Sequence, residues 1–151
     1  MRRFTAFALC AAAVPLSRPR PRRASWSLLP IPASVPKARR LIGGRLAQWG
    51  IDGQSEIVRL LASELVTNAL RHAWGPIQLT VFYRDGRLRC EVGDANPALP
   101  QMREAHEDDE GGRGLQLLDL LSGQWGSDRT PGGKVSWFEL PSHTHPDDTA
   151  A

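Results

Sequence analysis

Three polar side chains share one stripe of a predicted helix. Glu64, Asn68 and His72 are spaced four residues apart, which places them on the same side of a helix, one turn after another. Leu65 and Ala69 fall on the neighbouring apolar stripe. Mg²⁺ typically takes one or two carboxylate or carboxamide oxygens from a protein and fills its other positions with water and phosphate. The stripe is therefore either a metal and phosphate site or the solvated side of an ordinary amphipathic helix.

A single aspartate, Asp94, stands where a run of alternating apolar and polar residues ends. A carboxylate at such a strand end can accept a hydrogen bond from an exocyclic amine, such as that of adenine. When a purine buries the carboxylate, bases that lack the donor are discriminated against. The alternative is that Asp94 forms a turn with the Asn96-Pro97 pair that follows it.

A glycine cluster, Gly111-Gly112-Arg113-Gly114-Leu115, lies directly before a predicted helix. Glycines let backbone amides approach a phosphate, and a helix N-terminus favours an anion. Arg113 would add a direct phosphate contact. The cluster is neither the dinucleotide fingerprint nor a P-loop, because no strand leads into it and no Gly-Lys-Ser/Thr follows. The alternative is a flexible loop that ends where a helix begins.

Two helices are predicted before the first hairpin. Ser34 is a favourable N-cap, apolar residues follow it at helical spacing, and Gly50 is expected to end the helix in the left-handed conformation. A second helix is predicted over residues 54–73, and it carries the polar stripe. A third is predicted over residues 114–121, after a polar, acidic loop at residues 95–112 whose length is typical of a lid or of disorder.

The strands are predicted from alternation and from turn residues. The strongest signal is Asp85-Gly86, a two-residue hairpin turn between two alternating runs. The predicted strands cover residues 25–29, 77–83, 87–92, 124–127 and 135–140. The last of them is apolar on both faces, as a central strand is. The order of elements predicts an α+β two-layer sandwich, in which helices cover one face of a mostly antiparallel mixed sheet. The five tryptophans are spread across these elements and are predicted to lie in the core.

Charge is distributed unevenly along the chain. Residues 1–23 hold six arginines and no acidic residue, so the remaining 128 residues, with 13 basic and 16 acidic side chains, carry a net charge of −3. A domain that binds nucleic acid would need its basic groups on the folded surface, so this class of partner is excluded. We interpret residues 1–23 as a disordered Arg/Pro-rich extension. The alternative is a secretory signal peptide, because Arg2 and Arg3 precede an apolar run.

The sequence also predicts the limits of the domain and the compartment in which it works. The predicted domain covers residues 24–141, and residues 142–151 are predicted to be a disordered tail. No stretch is apolar and long enough to suggest a membrane span. Cys10 lies in the extension and Cys90 in a strand, so no structural disulfide is expected. A reducing compartment, the cytoplasm, is the simpler interpretation.

The order and spacing of these motifs resemble the GHKL, or Bergerat-type, ATPase and kinase family. Glu64–His72 resembles the N box of that family, Val92–Pro97 its first glycine box and Gly111–Leu115 its second. Gly132–Leu140 resembles its closing strand. The resemblance covers residues 24–141, and it is greatest to the small bacterial branch that is related to anti-sigma-factor serine/threonine kinases. It implies the Bergerat, or histidine-kinase-like, ATPase fold.

The resemblance also implies roles for individual residues. Asn68 would hold Mg²⁺, Asp94 would accept a hydrogen bond from the adenine amino group, and Glu64 would orient or deprotonate the attacking hydroxyl. The remaining nucleotide-binding positions would be Asn96, Gly111, Gly112, Arg113, Gly114 and Leu115. The implied cofactors are ATP and Mg²⁺.

Three features depart from the family pattern. The first glycine box lacks its glycine after Asp94, because residues 95–97 are Ala-Asn-Pro, and Val135 stands where a threonine often follows Gly-Lys. The predicted lid is short and carries the acidic run at residues 107–110. An acidic lid would repel a triphosphate unless it faces away or helps to hold Mg²⁺.

The resemblance predicts an ATP-dependent protein serine/threonine kinase of the anti-sigma-factor type. Its partners would be a small anti-anti-sigma-like substrate protein and a sigma factor, with homodimerisation left open. The departures from the family pattern keep a second interpretation open, that of a nucleotide-gated protein-binding module without catalysis. A complete sensor histidine kinase fits poorly, because no histidine precedes His72 to serve as the phosphoacceptor.

Overall fold

The computed structural model describes residues 20–72, 74–97 and 118–141. Within these ranges the chain forms two long helices and five strands, and residues 118–121 form one further helical turn. In chain order the elements are β1 (Arg22–Leu28), α1 (Ser34–Trp49), α2 (Ser55–His72), β2 (Ile77–Arg84), β3 (Arg87–Asp94), β4 (Gln124–Thr130) and β5 (Gly133–Pro141). A short 3₁₀ turn, Asp52–Gln54, leads into α2.

The five strands form one sheet in the order β1-β2-β3-β5-β4. Every pairing among these described strands is antiparallel. Asp85 and Gly86 connect β2 to β3 with φ values of 50° and 73°, the left-handed backbone of a two-residue hairpin turn. β5 lies between β3 and β4, so its prediction as an internal strand is confirmed. The architecture is the α+β sandwich expected from the sequence.

Both helices pack together on one face of this sheet, which we call the helix face. Alternate residues of β2 and β3 point towards the helices, and each helix turns one apolar stripe inwards. The fully buried large side chains of this core include Leu28, Ile42, Leu46, Leu61, Ile77, Leu79, Leu88, Leu118 and Phe138. Cys90 lies among them, and burial raises the pKa of its thiol well above the ordinary range. No helix among the described residues is long and apolar enough to cross a membrane.

The opposite face of the sheet, which we call the open face, carries a network of charged side chains. Arg89 lies 2.7 Å from Glu91 and 2.9 Å from Glu139, and Arg87 adds a longer contact of 3.5 Å to Glu139. The guanidinium of Arg89 also lies 4.1 Å from the ring centre of Trp137, a cation–π distance. Partial burial lowers the pKa of Arg89, but the hydrogen bonds and charges of the two glutamates outweigh it, so the pKa is raised.

Several boundaries differ from those expected. β1 begins at Arg22, two residues before the predicted start of the domain, and β4 and β5 are both longer than predicted. The prediction that Ser34 is an N-cap is wrong. Ser34 is the first residue of α1, and its hydroxyl donates to the carbonyl of Leu29 at 2.6 Å instead of to the helix backbone. Gly50 ends α1 as expected, with a left-handed φ of 69°.

The prediction that the tryptophans form the core is also wrong in part. Trp74 is 62% exposed, and Trp137 lies half-buried on the open face. Trp26, Trp49 and Trp125 are partly buried and pack against the core from its margin. Tryptophan is too large to be enclosed easily in a sandwich of this size, and its indole N–H also needs a partner.

Candidate functional site

The site begins at Asp94, the last residue of β3. Its side chain is 1% exposed, and its Oδ1 accepts the backbone N–H of Asn96 at 2.8 Å. Asn96 is itself buried, and its Nδ2 donates to the carbonyl oxygen of His72, the last residue of α2. Two hydrogen bonds therefore tie the end of β3 to the end of the helix that carries the polar stripe.

The second oxygen of Asp94 faces a lysine that the sequence analysis did not select. Lys134 Nζ lies 3.5 Å from Asp94 Oδ2, and the lysine side chain is 7% exposed. The two residues are directly opposite each other in the β3–β5 register. The signal was present in the sequence, because residue 134 alternates in phase with Phe138 and Leu140, both of which face the core. It was missed because a lysine beside a turn is normally exposed.

A close approach of two backbones fixes the spacing of this pair. Gly133, the first residue of β5, has a φ of 151°, and a Cβ atom there would overlap the carbonyl oxygen of Asp94 and lie 2.6 Å from the Cα of Ala95. No other residue type fits without moving the strands apart. Gly133 of β5 therefore lies against the backbone of Asp94 and Ala95, in the segment where the first glycine box lacks its glycine.

Glu64 and Asn68 lie one turn apart on α2, and both are half-buried. Leu65 and Ala69 beside them are buried against the sheet, as predicted. Neither polar side chain forms a hydrogen bond with another residue in the described part of the chain. The stripe ends at His72, whose side chain is exposed while its carbonyl holds Asn96. Glu64 and Asn68 therefore occupy the flank of α2 between the core and solvent, with their polar groups available.

The donor set matches Mg²⁺ bound together with a phosphate rather than a closed metal site. No three His, Cys, Asp or Glu side chains converge anywhere in residues 20–72, 74–97 and 118–141. Mg²⁺ does not require such a cluster, because one or two protein oxygens and the substrate phosphates suffice. The amide oxygen of Asn68 is a hard ligand of this kind. The other predicted positions, Gly111, Gly112, Arg113, Gly114 and Leu115, lie outside the described residues.

Comparison with known proteins gives a family match and similar folds. A sequence profile described as the histidine kinase-like ATPase domain matches residues 29–139. No curated protein matches significantly. The crystal structure of the RsbU and RsbW domains of Rv1364c from Mycobacterium tuberculosis is similar in fold, with a TM-score of 0.61 and 18% identity. The similarity covers 79% of this chain and 32% of that one, so this chain spans about a third of the mycobacterial protein's length.

Two histidine kinases show weaker structural similarity. One is the histidine kinase domain of the blue-light activated kinase from Erythrobacter litoralis EL346, with 28% identity, a TM-score of 0.46, and coverage of 59% of this chain and 45% of that one. The other is histidine kinase AdeS from Acinetobacter baumannii, with 15% identity, a TM-score of 0.47, and coverage of 82% and 70%.

Proposed function

Because the chain belongs to the histidine kinase-like ATPase family, we propose that it binds ATP with Mg²⁺ and acts as a regulatory protein serine/threonine kinase of the anti-sigma-factor type. Its substrate would be a serine or threonine hydroxyl of a small partner protein. The observation that carries the proposal is the buried Asp94 carboxylate, which Asn96 links to the end of the helix that bears Glu64 and Asn68.

The geometry of α2 supports an order for the bound groups. His72 and Glu64 are eight residues apart, which corresponds to roughly 12 Å along a helix axis, with Asn68 midway. Adenine at Asp94 would lie beside the C-terminal end of α2. The phosphates would then extend past Asn68, and the acceptor hydroxyl would come within reach of Glu64. The nucleotide would thus follow the helix from its last turn towards its middle.

Each residue has a chemical task in this arrangement. Asp94 would select the base through its exocyclic amine, and Asn68 would hold Mg²⁺, which neutralises charge on the phosphates when bound. Glu64 would orient the hydroxyl and accept its proton. Phosphoryl transfer depends mainly on positioning and on charge stabilisation, so this small set is sufficient. The residues proposed to complete the phosphate and nucleotide contacts are Asn96, Gly111, Gly112, Arg113, Gly114 and Leu115.

The partners follow from the same family branch. We propose a small anti-anti-sigma-like protein as the substrate and a sigma factor as a second partner, in the cytoplasm. The RsbW domain named in the mycobacterial structure supports this choice of branch. The second candidate is a nucleotide-gated protein-binding module. It is favoured by the two departures from the family pattern, the lack of a glycine after Asp94 and the valine at position 135.

Two measurements test the proposal in sequence. Isothermal titration with Mg·ATP is expected to give saturable heat, and the absence of both heat and a thermal shift at millimolar Mg·ATP would refute ATP binding. A partner captured from the native cytoplasm is then incubated with the chain and labelled ATP. An acid-stable phosphoester on that partner supports the serine/threonine kinase. Partner binding that depends on ATP without phosphate transfer supports the nucleotide-gated module.

A further inference from the structure

Lys134 is buried, which is unusual for a lysine. The sequence contains only two lysines, Lys37 and Lys134. Lys37 is exposed on α1, as lysines normally are, whereas Lys134 is buried at the end of the sheet where Asp94 lies. Burying two opposite charges incurs a large desolvation penalty, and similar apolar residues would often be more stabilising. A buried ion pair at this position therefore calls for a role other than stability.

The pair also retains unused hydrogen-bonding capacity. The distance of 3.5 Å between Lys134 Nζ and Asp94 Oδ2 is longer than the roughly 2.7–2.9 Å of a good charge-assisted hydrogen bond. An ammonium group has three N–H donors, and a carboxylate oxygen has two lone pairs. One contact between them leaves donors on Lys134 and an acceptor on Asp94 Oδ2. The other oxygen, Oδ1, is engaged by the backbone of Asn96.

A donor and an acceptor held side by side form a complementary edge for a base. The 6-amino group of adenine is a donor, and the adjacent ring nitrogen N1 is an acceptor. An asparagine or glutamine side chain reads adenine in nucleic acids by the same pairing of one acceptor with one donor. Because Gly133 fixes the approach of β5 to Asp94, the backbone of Lys134 stays opposite the residue that carries the carboxylate.

We infer that Lys134 is a base-reading residue, which donates a hydrogen bond to N1 of adenine while Asp94 Oδ2 accepts one from the 6-amino group. The inference rests on the proposed binding of ATP at Asp94 and extends it to a second position of the purine. In the absence of nucleotide the two charges neutralise each other. When the base binds, Lys134 and Asp94 remain paired with each other, and each gains a neutral hydrogen-bond partner from adenine. No charge is therefore left unpaired.

The experiment compares ATP with 1-deaza-ATP, in which a C–H replaces N1 and the 6-amino group is kept. Isothermal titration of the wild-type chain is expected to show at least about tenfold weaker binding of 1-deaza-ATP, the effect of losing one charge-assisted hydrogen bond. Lys134→Met is expected to bind both nucleotides with the same affinity. Lys37→Met is the matched control, and it should keep the wild-type ratio.

Folding is controlled separately, because Lys134→Met leaves a buried carboxylate without its counter-ion. The double variant Asp94→Asn/Lys134→Met removes both charges, and circular dichroism checks each variant before titration. The double variant is also expected to bind ATP and 1-deaza-ATP with the same affinity. Persistence of the N1 dependence in either folded variant would assign that contact to another group and overturn the inference.

The outcomes separate this inference from the proposed function. Equal affinity of the wild-type chain for ATP and 1-deaza-ATP overturns the role of Lys134 and leaves ATP binding intact. Equal affinity for ATP and GTP also overturns it, because guanine presents an acceptor and a donor in the reverse order. A wild-type chain that binds no ATP at all overturns both the proposed function and the inference that rests on it.

Discussion

The two faces of the sheet hold charge in contrasting ways. On the helix face, Lys134 and Asp94 are 7% and 1% exposed and lie beside an apolar core. On the open face, Arg89 forms ion pairs with Glu91 and Glu139, and all three side chains are between 21% and 29% exposed. Solvent reaches the Arg89 network and screens its charges. The charges of Lys134 and Asp94 are stabilised instead by each other and by a few polar neighbours.

The difference bears on what each group of charges contributes to stability. A partly exposed network of several ion pairs can add modest stability and covers apolar surface with the stems of its long side chains. A buried pair is weak support for stability and is costly when one partner is lost. We therefore expect substitutions on the helix face to change nucleotide chemistry, and matched substitutions on the open face to change stability slightly. Each prediction below tests one part of that contrast.

The largest effect is expected from Glu64→Ala, compared with Glu139→Ala on the open face. Both glutamates are half-buried. Loss of a general base typically lowers a rate by about 10²–10⁴-fold, so Glu64→Ala should bind ATP normally and transfer phosphate that much more slowly. Glu139→Ala should transfer at the wild-type rate. Transfer by Glu64→Ala at the wild-type rate would contradict the kinase mechanism and favour the nucleotide-gated module.

The next effect is expected from Gly133→Ala, compared with Gly126→Ala. The new methyl group at position 133 meets backbone atoms of Asp94 and Ala95 at a positive φ, so we expect a loss of about 2 kcal/mol or more in the free energy of unfolding. At position 126 it would meet the Trp137 ring on the open face at 3.0 Å, and that side chain can shift outwards. Chemical denaturation should show a loss within about 1 kcal/mol there. Equal losses in the free energy of unfolding for Gly133→Ala and Gly126→Ala would contradict this prediction.

A smaller effect is expected from Asp94→Asn, compared with Asp128→Asn. The first removes a charged acceptor, so ATP binding should weaken by roughly 1.5–3 kcal/mol while GTP binding changes little. It should also lower the melting temperature, because Lys134 loses its counter-ion. Asp128 accepts the indole N–H of Trp137 at 2.9 Å, and asparagine can do the same, so its variant should bind ATP normally. Titration showing equal losses for ATP and GTP would exclude base reading by Asp94.

The smallest effect is expected from Arg89→Met, compared with Arg84→Met. Arg89→Met removes two ion pairs and a cation–π contact but keeps an apolar stem, so we expect about 1 kcal/mol of destabilisation, less at high salt. Among the described residues Arg84 pairs with the exposed Asp85 alone, so Arg84→Met should have no measurable effect. A loss of several kcal/mol at Arg89 in urea denaturation would mean that the open face behaves like the core.

Local signals in the sequence predicted the fold well. Asp85-Gly86 specifies a hairpin turn within two residues, and Gly50 specifies a helix end, so both predictions are confirmed. The helical spacing of the second helix placed its bounds within one residue. Ser34 shows where such signals fail, because its hydroxyl bonds the carbonyl of Leu29 before the helix, a contact that capping preferences do not describe.

The site was predicted less completely than the fold. Asp94 was selected as a strand-end carboxylate, but its pairing with Lys134 depends on the register between β3 and β5, which belong to different hairpins. No local sequence pattern predicts that register. The alternating phase of β5 could have shown that Lys134 faces inwards, had β5 been predicted to begin at Gly133. The roles assigned to Glu64, Asn68 and the glycine cluster remain predictions.

The position of the β2–β3 hairpin in the sheet has a consequence for folding kinetics. β2 and β3 are consecutive in the sequence. The strand that pairs with β2 is β1, which precedes them, and the strand that pairs with β3 is β5, which follows them. Ser25 contacts Thr80 across 55 residues, and Glu139 contacts Arg87 across 52. A hairpin closes in microseconds, whereas long-range pairings make the completion of a sheet slower. Until β1 and β5 have paired with it, the β2–β3 hairpin presents two unpaired edges, and these edges are where aggregation would begin.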